Sequence, residues 1–452
     1  MSEPRPGDIL ELDIKSVVYG GFGLAYHGRI VVFVRRAYPG EVVKAKIYRR
    51  RRTALFADAV EILRESEFRR DAPCPVFGEC GGCAWQDLDP EKQFEYKRDS
   101  VVESLERIGG LENIPEPEEI RAEREFHYRN KMELSFGEGP DGPFIGQHRR
   151  GHYNELVPAA DCLLMPECGA NIARSVENSA RKLALRAHDR DSDSGLLRHL
   201  ILRFSETEGS ALIGLTLREP DPAAAETIIT SAMEENPELA GGFMVVNDTT
   251  GDSAFGEVTH IAGAEYIEED ILGLRFRISL QSFFQTNTAM ARKFYSSVAD
   301  FAGDVRGAVF DLYSGTGTIA QILAGRAKKV FALEESSSAV RDGIESARRN
   351  GVENVEFIRG RVKKGLPPLL EEISPELVVF DPPRAGVGKK SLKRILENPP
   401  PAIVYASCNP TTLARDIEIL GERYRLARLA VVDMFPQTHH IESVTRLKRR
   451  DQ

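Results

Sequence analysis

The sequence predicts a multidomain fold: a small β-barrel of OB type at the amino terminus, a central α+β region, and a doubly wound α/β region at the carboxyl terminus. Three observations carry this. The opening stretch alternates polar and apolar residues in short runs broken by glycine and proline. A Cys-x5-Cys-x2-Cys run follows at Cys74, Cys80 and Cys83. From Ala308 onward, β-branched runs alternate with helix-like segments, the pattern of strands joined by helical crossovers. A chain of 452 residues has room for three such units at about 150 residues each. The boundaries fall at 1–65, 66–280 and 281–452.

Apolar residues at 42% and charged residues at 29% are globular values. The opening MSEPRPGDIL is polar and unlike a secretory leader. No apolar run reaches the ~18 residues that span a membrane, so a soluble, cytoplasmic protein without a membrane partner is expected. In a reducing compartment its six cysteines read as metal ligands or catalytic thiols rather than disulfides. A net charge of −9 excludes a nucleic-acid binder built on overall charge, and leaves one built on a local basic face. No obligate protein partner is evident, and a monomer is the default.

In the amino-terminal unit, Asp8–Val18 alternates, Gly20, Gly21 and Gly23 punctuate a turn, and Arg29–Val34, Glu41–Tyr48 and Ala54–Ile62 are further strands. Small barrels of this type bind oligonucleotides. The basic run Lys44–Arg52, ending in four consecutive arginines, supplies phosphate contacts on or beside one strand.

In the central unit, CPVFGECGGCAW gathers three thiols within ten residues, with Cys162 or Cys168 as the fourth ligand of a zinc or iron–sulfur site. Glu91–Ile108 has helical charge spacing and a Gly-Gly stop. Phe126–Phe136 mixes aromatic and basic residues in a strand-like run that puts Arg129 and Lys131 on one face, a candidate RNA-contacting strand, and Gln147–His152 adds a basic loop. Strands at Leu197–Phe204, Ala211–Leu217 and Gly242–Asn247 alternate with helices near Asn171–Arg186 and Pro222–Glu234.

In the carboxyl-terminal unit, strands are expected at Ala308–Leu312, Lys329–Leu333, Val355–Ile358, Leu377–Phe380, Ile403–Tyr405, Leu426–Val432 and Val444–Leu447. The first ends in DLYSGTGTIA, a glycine loop for a ligand at a helix N-terminus. Asp311 places a negative charge there, which repels a pyrophosphate and attracts the sulfonium of S-adenosylmethionine (SAM), so SAM is preferred to a dinucleotide. Glu334 ends the second strand, placed to grip ribose hydroxyls. Asp381, followed by Pro382 and Pro383, is aimed at the same edge. IVYASCNPTTLARD runs from a buried strand into a turn, with Thr411 or Thr412 expected to cap a helix starting near Leu413. Cys408 then faces that helix N-terminus, which favours its thiolate. Glu442, just before the last strand, reaches the same edge, with His439 and His440 as alternative bases.

The order of barrel, cysteine cluster, glycine loop and Ser-Cys-Asn-Pro followed by His-x-Glu resembles the RNA uracil-C5 methyltransferase family over nearly the whole chain, most specifically in YASCNP, DPPR and SFFQTN. The resemblance implies a TRAM domain at the amino terminus and a [4Fe–4S] cluster on Cys74, Cys80, Cys83 and Cys162, leaving Cys168 spare. It implies that Gln285, Tyr313, Glu334 and Asp381 line the SAM pocket, that Cys408 is the nucleophile and that Glu442 is the base. The implied activity is methylation of uridine C5 in a structured RNA through a Cys–C6 covalent intermediate. The barrel and cluster favour 23S rRNA, with tRNA as the alternative. A non-catalytic RNA-binding protein on a SAM-type fold is the rival of another class. Two departures from the family pattern are Ser314, where many members carry cysteine, and Arg361, where members often carry an acidic residue or asparagine toward the adenine.

Overall fold

The computed structural model describes residues 4–451. The amino-terminal sheet has six strands: β1 (Ile9–Asp13), β2 (Ser16–Val18), β3 (Phe22–His27), β4 (Ile30–Arg35), β5 (Val42–Arg50) and β6 (Ala54–Arg64), in the order β1-β5-β6-β4-β3-β2. Alternate residues such as Val32, Val34, Leu55 and Ala57 fill the interior. The sequence reading undercounts these strands. Gly23, read there as part of a turn, lies inside β3 because the Ala37 carbonyl crosses it so closely that a Cβ would lie 2.5 Å from that oxygen. Arg49 and Arg50 end β5, and Arg51 and Arg52 fall in the connection that follows.

Helix α1 (Pro90–Arg107), capped by Asp89, leads to the short β7 (Glu118–Ile120). Both belong spatially with the carboxyl-terminal sheet. Phe94, Val101 and Leu105 share a core with Leu413 and Ile417, and β7 pairs with the sheet's edge. Amphipathic spacing shows which face of α1 is apolar, not which sheet it covers.

The central sheet has seven strands: β8 (Lys131–Gly139), β9 (Gly142–Arg149), β10 (His152–Pro158), β11 (Leu197–Ser205), β12 (Ser210–Leu217), β13 (Leu239–Val246) and β14 (Glu257–Gly263), ordered β10-β9-β8-β11-β12-β13-β14. Arg129 precedes β8 instead of sharing a strand face with Lys131, and its Nε donates to the Lys131 carbonyl at 3.0 Å. Helices α2 (Glu167–Lys182) and α3 (Pro222–Glu235) cover one face of the sheet. Its other face, through Ile201, Leu212 and Phe243, shares a core with α4 (Thr288–Ala302), so the central strands β11 and β12 are buried on both sides. A hairpin, β15 (Ile267–Ile271) and β16 (Leu274–Ile278), precedes α4.

The remaining elements alternate as read: β17 (Ala308–Leu312), α5 (Thr318–Ala324), β18 (Lys329–Glu334), α6 (Ser337–Arg349), β19 (Val355–Arg359), α7 (Val362–Glu372), β20 (Leu377–Phe380), α8 (Lys389–Glu397), β21 (Ala402–Ser407), α9 (Pro410–Leu420), β22 (Tyr424–Val432) and β23 (Glu442–Arg449). The sheet order is β19-β18-β17-β20-β21-β23-β22-β7, with β23 antiparallel to its neighbours. The order reverses between β17 and β20, and the carboxyl ends of those strands open the crevice where such sheets take ligands. Among the described residues no helix is long and apolar enough to cross a membrane.

Candidate active site

The crevice is built by the residues that end four parallel strands. β17 runs into Tyr313-Ser314-Gly315-Thr316-Gly317, in which Tyr313, Gly315 and Gly317 all adopt positive φ. The backbone N–H groups of Tyr313 and Ser314 donate to the Leu333 carbonyl at 3.0 and 3.2 Å. Glu334 steadies this loop: one carboxylate oxygen accepts from Gly315 N at 3.0 Å and the other from Ser336 N at 2.7 Å. A carboxylate has about four acceptor positions, so both oxygens keep capacity for a ligand hydroxyl. The Tyr313 hydroxyl donates to the Val387 carbonyl at 3.3 Å.

The crevice is lined by carboxyl groups and is under-satisfied. Asp311 is fully buried, and neither of its carboxylate oxygens has a hydrogen-bond partner; buried Ser314 Oγ is unpartnered too. Burial, then the nearby Asp381, pushes the Asp311 carboxyl up to about 8. Burial pushes Asp381 up to about 6. Orphaned acceptors fit a ligand that brings positive charge and hydrogen-bond donors. Gln285 is 8% exposed, and its carbonyl accepts from Asn130 Nδ2 at 2.9 Å. Arg361 lies at the surface, paired with Glu335 at 2.6 Å.

β21 and β23 bring the other two predicted residues together. Ser407 pairs with Ser443 in an antiparallel register, so Cys408, one residue past β21, and Glu442, the first residue of β23, come to the same end of the pair, within electrostatic reach of each other. The turn after β21 is tied down by its own side chains. Asn409, not a threonine, caps α9, its Oδ1 accepting from Thr411 N at 3.1 Å, and its Nδ2 donates to the Arg384 carbonyl at 3.0 Å. An asparagine before proline at N1 takes the extended conformation that a cap requires, so the helix begins three residues earlier than threonine capping suggests. Buried Asp416 joins the two loops, accepting from Val387 N and the Tyr405 hydroxyl, both at 2.8 Å.

Charge states differ from the expectation drawn from the helix N-terminus. Burial, then the Glu442 carboxylate, raises the Cys408 thiol to about 11, and Arg384 only partly offsets them. Glu442, 5% exposed, is held well above the usual carboxylate range by burial and by Asp381. Burial lowers His439 to about 4 and His440 to about 3, so both rings are neutral. His440 Nδ1 accepts from Arg384 at 3.5 Å.

Sequence reasoning missed the residues that hold the Phe435–Glu442 loop. Gln437, fully buried at φ +67, accepts with its carbonyl from Ala84 N and Trp85 N at 2.9 and 3.1 Å, and exchanges two 3.0 Å bonds with Gln93 of α1. Buried Lys97 donates to Asp433 at 2.6 Å and to the Phe435 carbonyl at 3.0 Å. A buried lysine and glutamine on a helix and a buried glutamine in a loop give no pattern that separates them from surface residues. Replacing Lys97 by methionine strands the Asp433 carboxylate and is expected to cost about 3 kcal/mol. Adding Asp433→Asn should recover most of the loss in denaturant unfolding. A single variant as stable as the parent would mean that the pair does not hold the loop.

Cys74, Cys80, Cys83 and Cys162 line one cavity of about 1020 Å³ that extends to Arg384 and His440. Cys83 packs with Tyr128, Leu164, Cys162 and Phe435. Cys168 lies on a different cavity. Among the described residues no group of three or more His, Cys, Asp or Glu side chains is drawn tightly enough to hold a metal ion, so the closed donor set expected from the sequence is not formed. The four thiols share one wall of this cavity.

Comparison with known proteins adds independent evidence. Residues 263–450 match a family described as tRNA (uracil-5-)-methyltransferase, and residues 5–60 match the TRAM domain. A protein of Clostridium tetani described as an uncharacterized RNA methyltransferase is 36% identical over 99% of both chains. One from Caldanaerobacter subterraneus with the same description is 35% identical over 98% of this chain and 99% of its own. The crystal structure of Pyrococcus abyssi tRNA (uracil-54, C5)-methyltransferase with S-adenosyl-L-homocysteine is similar at a TM-score of 0.78. It is 25% identical and covers 97% of this chain and 99% of its own.

Proposed function

The chain belongs to the RNA (uracil-5-)-methyltransferase family and is a SAM-dependent enzyme, and from that premise we propose that Cys408 and Glu442 carry the methylation of uridine C5 in a folded RNA. The observation that carries this reading is the pairing of β21 with β23, which brings a cysteine just past one strand and a buried glutamate at the start of the other to the same ligand edge of the sheet.

C5 of uracil is a weak nucleophile. Cys408 as thiolate adds to C6, and the C5=C6 electrons move toward C5 and O4. SAM, when bound, supplies the electrophilic methyl group that C5 receives. Glu442 then takes the C5 proton, C5=C6 re-forms, and the bond from C6 to Cys408 breaks to return the thiolate. Asp311, Tyr313, Glu334 and Asp381 would hold the donor, the orphaned Asp311 carboxylate facing its positive charge, and Gln285 would border it. Arg384, which draws both Cys408 and Glu442 toward their charged forms, steadies the pair.

To hold the [4Fe–4S] cluster that the family resemblance implies, Cys74, Cys80, Cys83 and Cys162 would have to draw closer together than they are here. Support for the cluster comes from the donor chemistry and the shared cavity wall. The segment Cys83–Trp85 leads straight into the bonds from Ala84 and Trp85 to Gln437, so it braces the loop that carries Glu442.

The RNA itself is the finer question. The barrel and the cysteines were the sequence grounds for 23S rRNA, but a tRNA enzyme matches 97% of this chain, barrel included. The test therefore gives the protein both RNAs, transcribed with [5-³H]uridine. Release of tritium that needs SAM and Cys408 is expected from one of them and identifies it. Methyl transfer without tritium release from either RNA would show that another atom is modified.

A further inference from the structure

The segment that carries Gln285 is held from outside the sheet that it serves. SFFQTN, residues 282–287, lies between the hairpin of β15 and β16 and the start of α4, and belongs to no strand of the doubly wound sheet. Its tethers come from the central sheet. β8 and β11 pair with Lys131 opposite Arg203, which brings Asn130 beside Phe204, and Phe204 N donates to the Asn130 carbonyl at 2.9 Å. Asn130 then reaches the segment with both of its N–H groups. Its main-chain N donates to the Thr286 carbonyl at 2.8 Å, and its Nδ2 donates to the Gln285 carbonyl at 2.9 Å and to Thr288 Oγ1 at 2.8 Å. Arg203 takes the other end, its Nε donating to the Leu280 carbonyl at 2.9 Å and its Nη2 to the Ser282 carbonyl. Asn287 bridges to Arg129, and its Nδ2 adds a bond to the Met434 carbonyl at 3.0 Å.

Arg203 is the costly member of this set. It is 1% exposed, and the carboxylate that acts on it from a distance, Glu133, is paired with Lys131 at 2.6 Å. A well-packed apolar residue would fill the same volume without burying a charge. What arginine adds is a rigid fork, whose two arms fit two carbonyls set two residues apart. Packing does not supply that restraint here. Phe283, Phe284 and Thr286 border the cavity of about 1020 Å³, and Phe283 is 69% exposed, so one side of the segment has no wall to rest on. The tethers grip main-chain carbonyls and leave the Gln285 side-chain amide outside their network. Residues 263–450, which match the methyltransferase family, contain neither Asn130 nor Arg203.

We propose that Arg203 and Asn130 are positioning residues for the cofactor: by fixing the carbonyls of Leu280, Ser282, Gln285 and Thr286 they aim the Gln285 amide at SAM, so that the central sheet sets the affinity of the methyltransferase sheet for its methyl donor. The proposal rests on the reading that Gln285 borders the donor, and extends it to what aims that side chain. Both residues act through the segment and not on the reacting atoms. A group held in place beforehand loses less freedom when its ligand arrives, so loosening the segment lowers affinity. The Asn130 amide also fixes Thr288, the first residue of α4, and so joins the segment to the helix that follows it.

The test is a double-mutant cycle on the full chain, read as equilibrium affinity for SAM. Gln285→Ala, Arg203→Lys and Asn130→Ala should each weaken SAM binding by about tenfold, the scale of one or two lost hydrogen bonds. Lysine keeps the buried charge and loses the fork. In a Gln285→Ala background, either tether variant should cost no more than about a further twofold, because the amide through which it acts is already gone. Affinity for the folded RNA should stay at the parent level, and the loss in turnover should appear in KM for SAM rather than in kcat. If Arg203→Lys does not fold, Asn130→Ala completes the same cycle with the charge untouched. Full additivity with Gln285→Ala, or a parallel fall in RNA affinity, would make the tethers general scaffold and overturn the proposal. Parent-like SAM affinity in either tether variant would remove that residue from the role. Parent-like affinity in Gln285→Ala would overturn the placement of Gln285 at the cofactor, and the proposal with it. Tritium release from RNA tests C5 chemistry separately, and its failure would leave the cycle standing.

Discussion

Cys408→Ala is expected to abolish methyl transfer, with a loss of roughly 10⁴-fold or more, while SAM binding stays within a few fold of the parent. The reason for so large an effect is chemical. Without sulfur at C6 no electron density reaches C5, and nothing else at this edge can replace the nucleophile: Ser407 is buried and engaged with the Asn409 backbone. The reason for so small an effect on the cofactor is structural. The loop is held by Asn409 to Arg384 and by Asp416 to Val387 and Tyr405, and none of these bonds involves the thiol. Equilibrium binding of SAM alongside single-turnover methylation separates the two effects. A variant that loses SAM binding in parallel with activity would mark Cys408 as part of the scaffold.

Glu442→Gln should stop the reaction one step later, after methyl transfer and before release, so that a covalent protein–RNA adduct accumulates. Glutamine keeps the shape of the buried side chain but cannot accept the C5 proton, and without that loss the bond from C6 to sulfur has no route to break. A denaturing gel should show a shifted band that requires SAM and Cys408. Full turnover by this variant, or no adduct under any condition, would remove Glu442 from the role of base. The parent enzyme's pH profile follows from the same environment. Both groups must lose a proton to act, and burial holds both above their ordinary values, with Cys408 at about 11. The rate should therefore climb with pH through the neutral range. His439 and His440, at about 4 and about 3, add no limb there. A downturn between pH 6 and 8 would point to a histidine as the working acid or base.

The parts legible in the sequence were those set by local rules. The strands from Ala308 to Leu447 were readable because a sheet covered on both faces needs unbroken apolar runs. Chain order then placed Glu334, Asp381 and Cys408 at one edge, because every parallel strand in a doubly wound sheet ends on the same side. β3 was lost because a glycine needed for close approach reads like a turn glycine.

The remainder depends on contacts between segments far apart in the chain. That Cys408 and Glu442 come to one end of the sheet follows from the antiparallel register of β21 and β23, which side-chain packing across the sheet selects. The protonation states follow from burial and from neighbours on other strands, which overrode the helix N-terminus at Cys408. Gln93, Lys97 and Gln437 were invisible because a buried hydrogen bond has no sequence spacing. The sequence by itself determined which chemical groups are present and on which edge; only the tertiary structure decided which of them meet and in what charge state, because proximity and desolvation are properties of the packed chain.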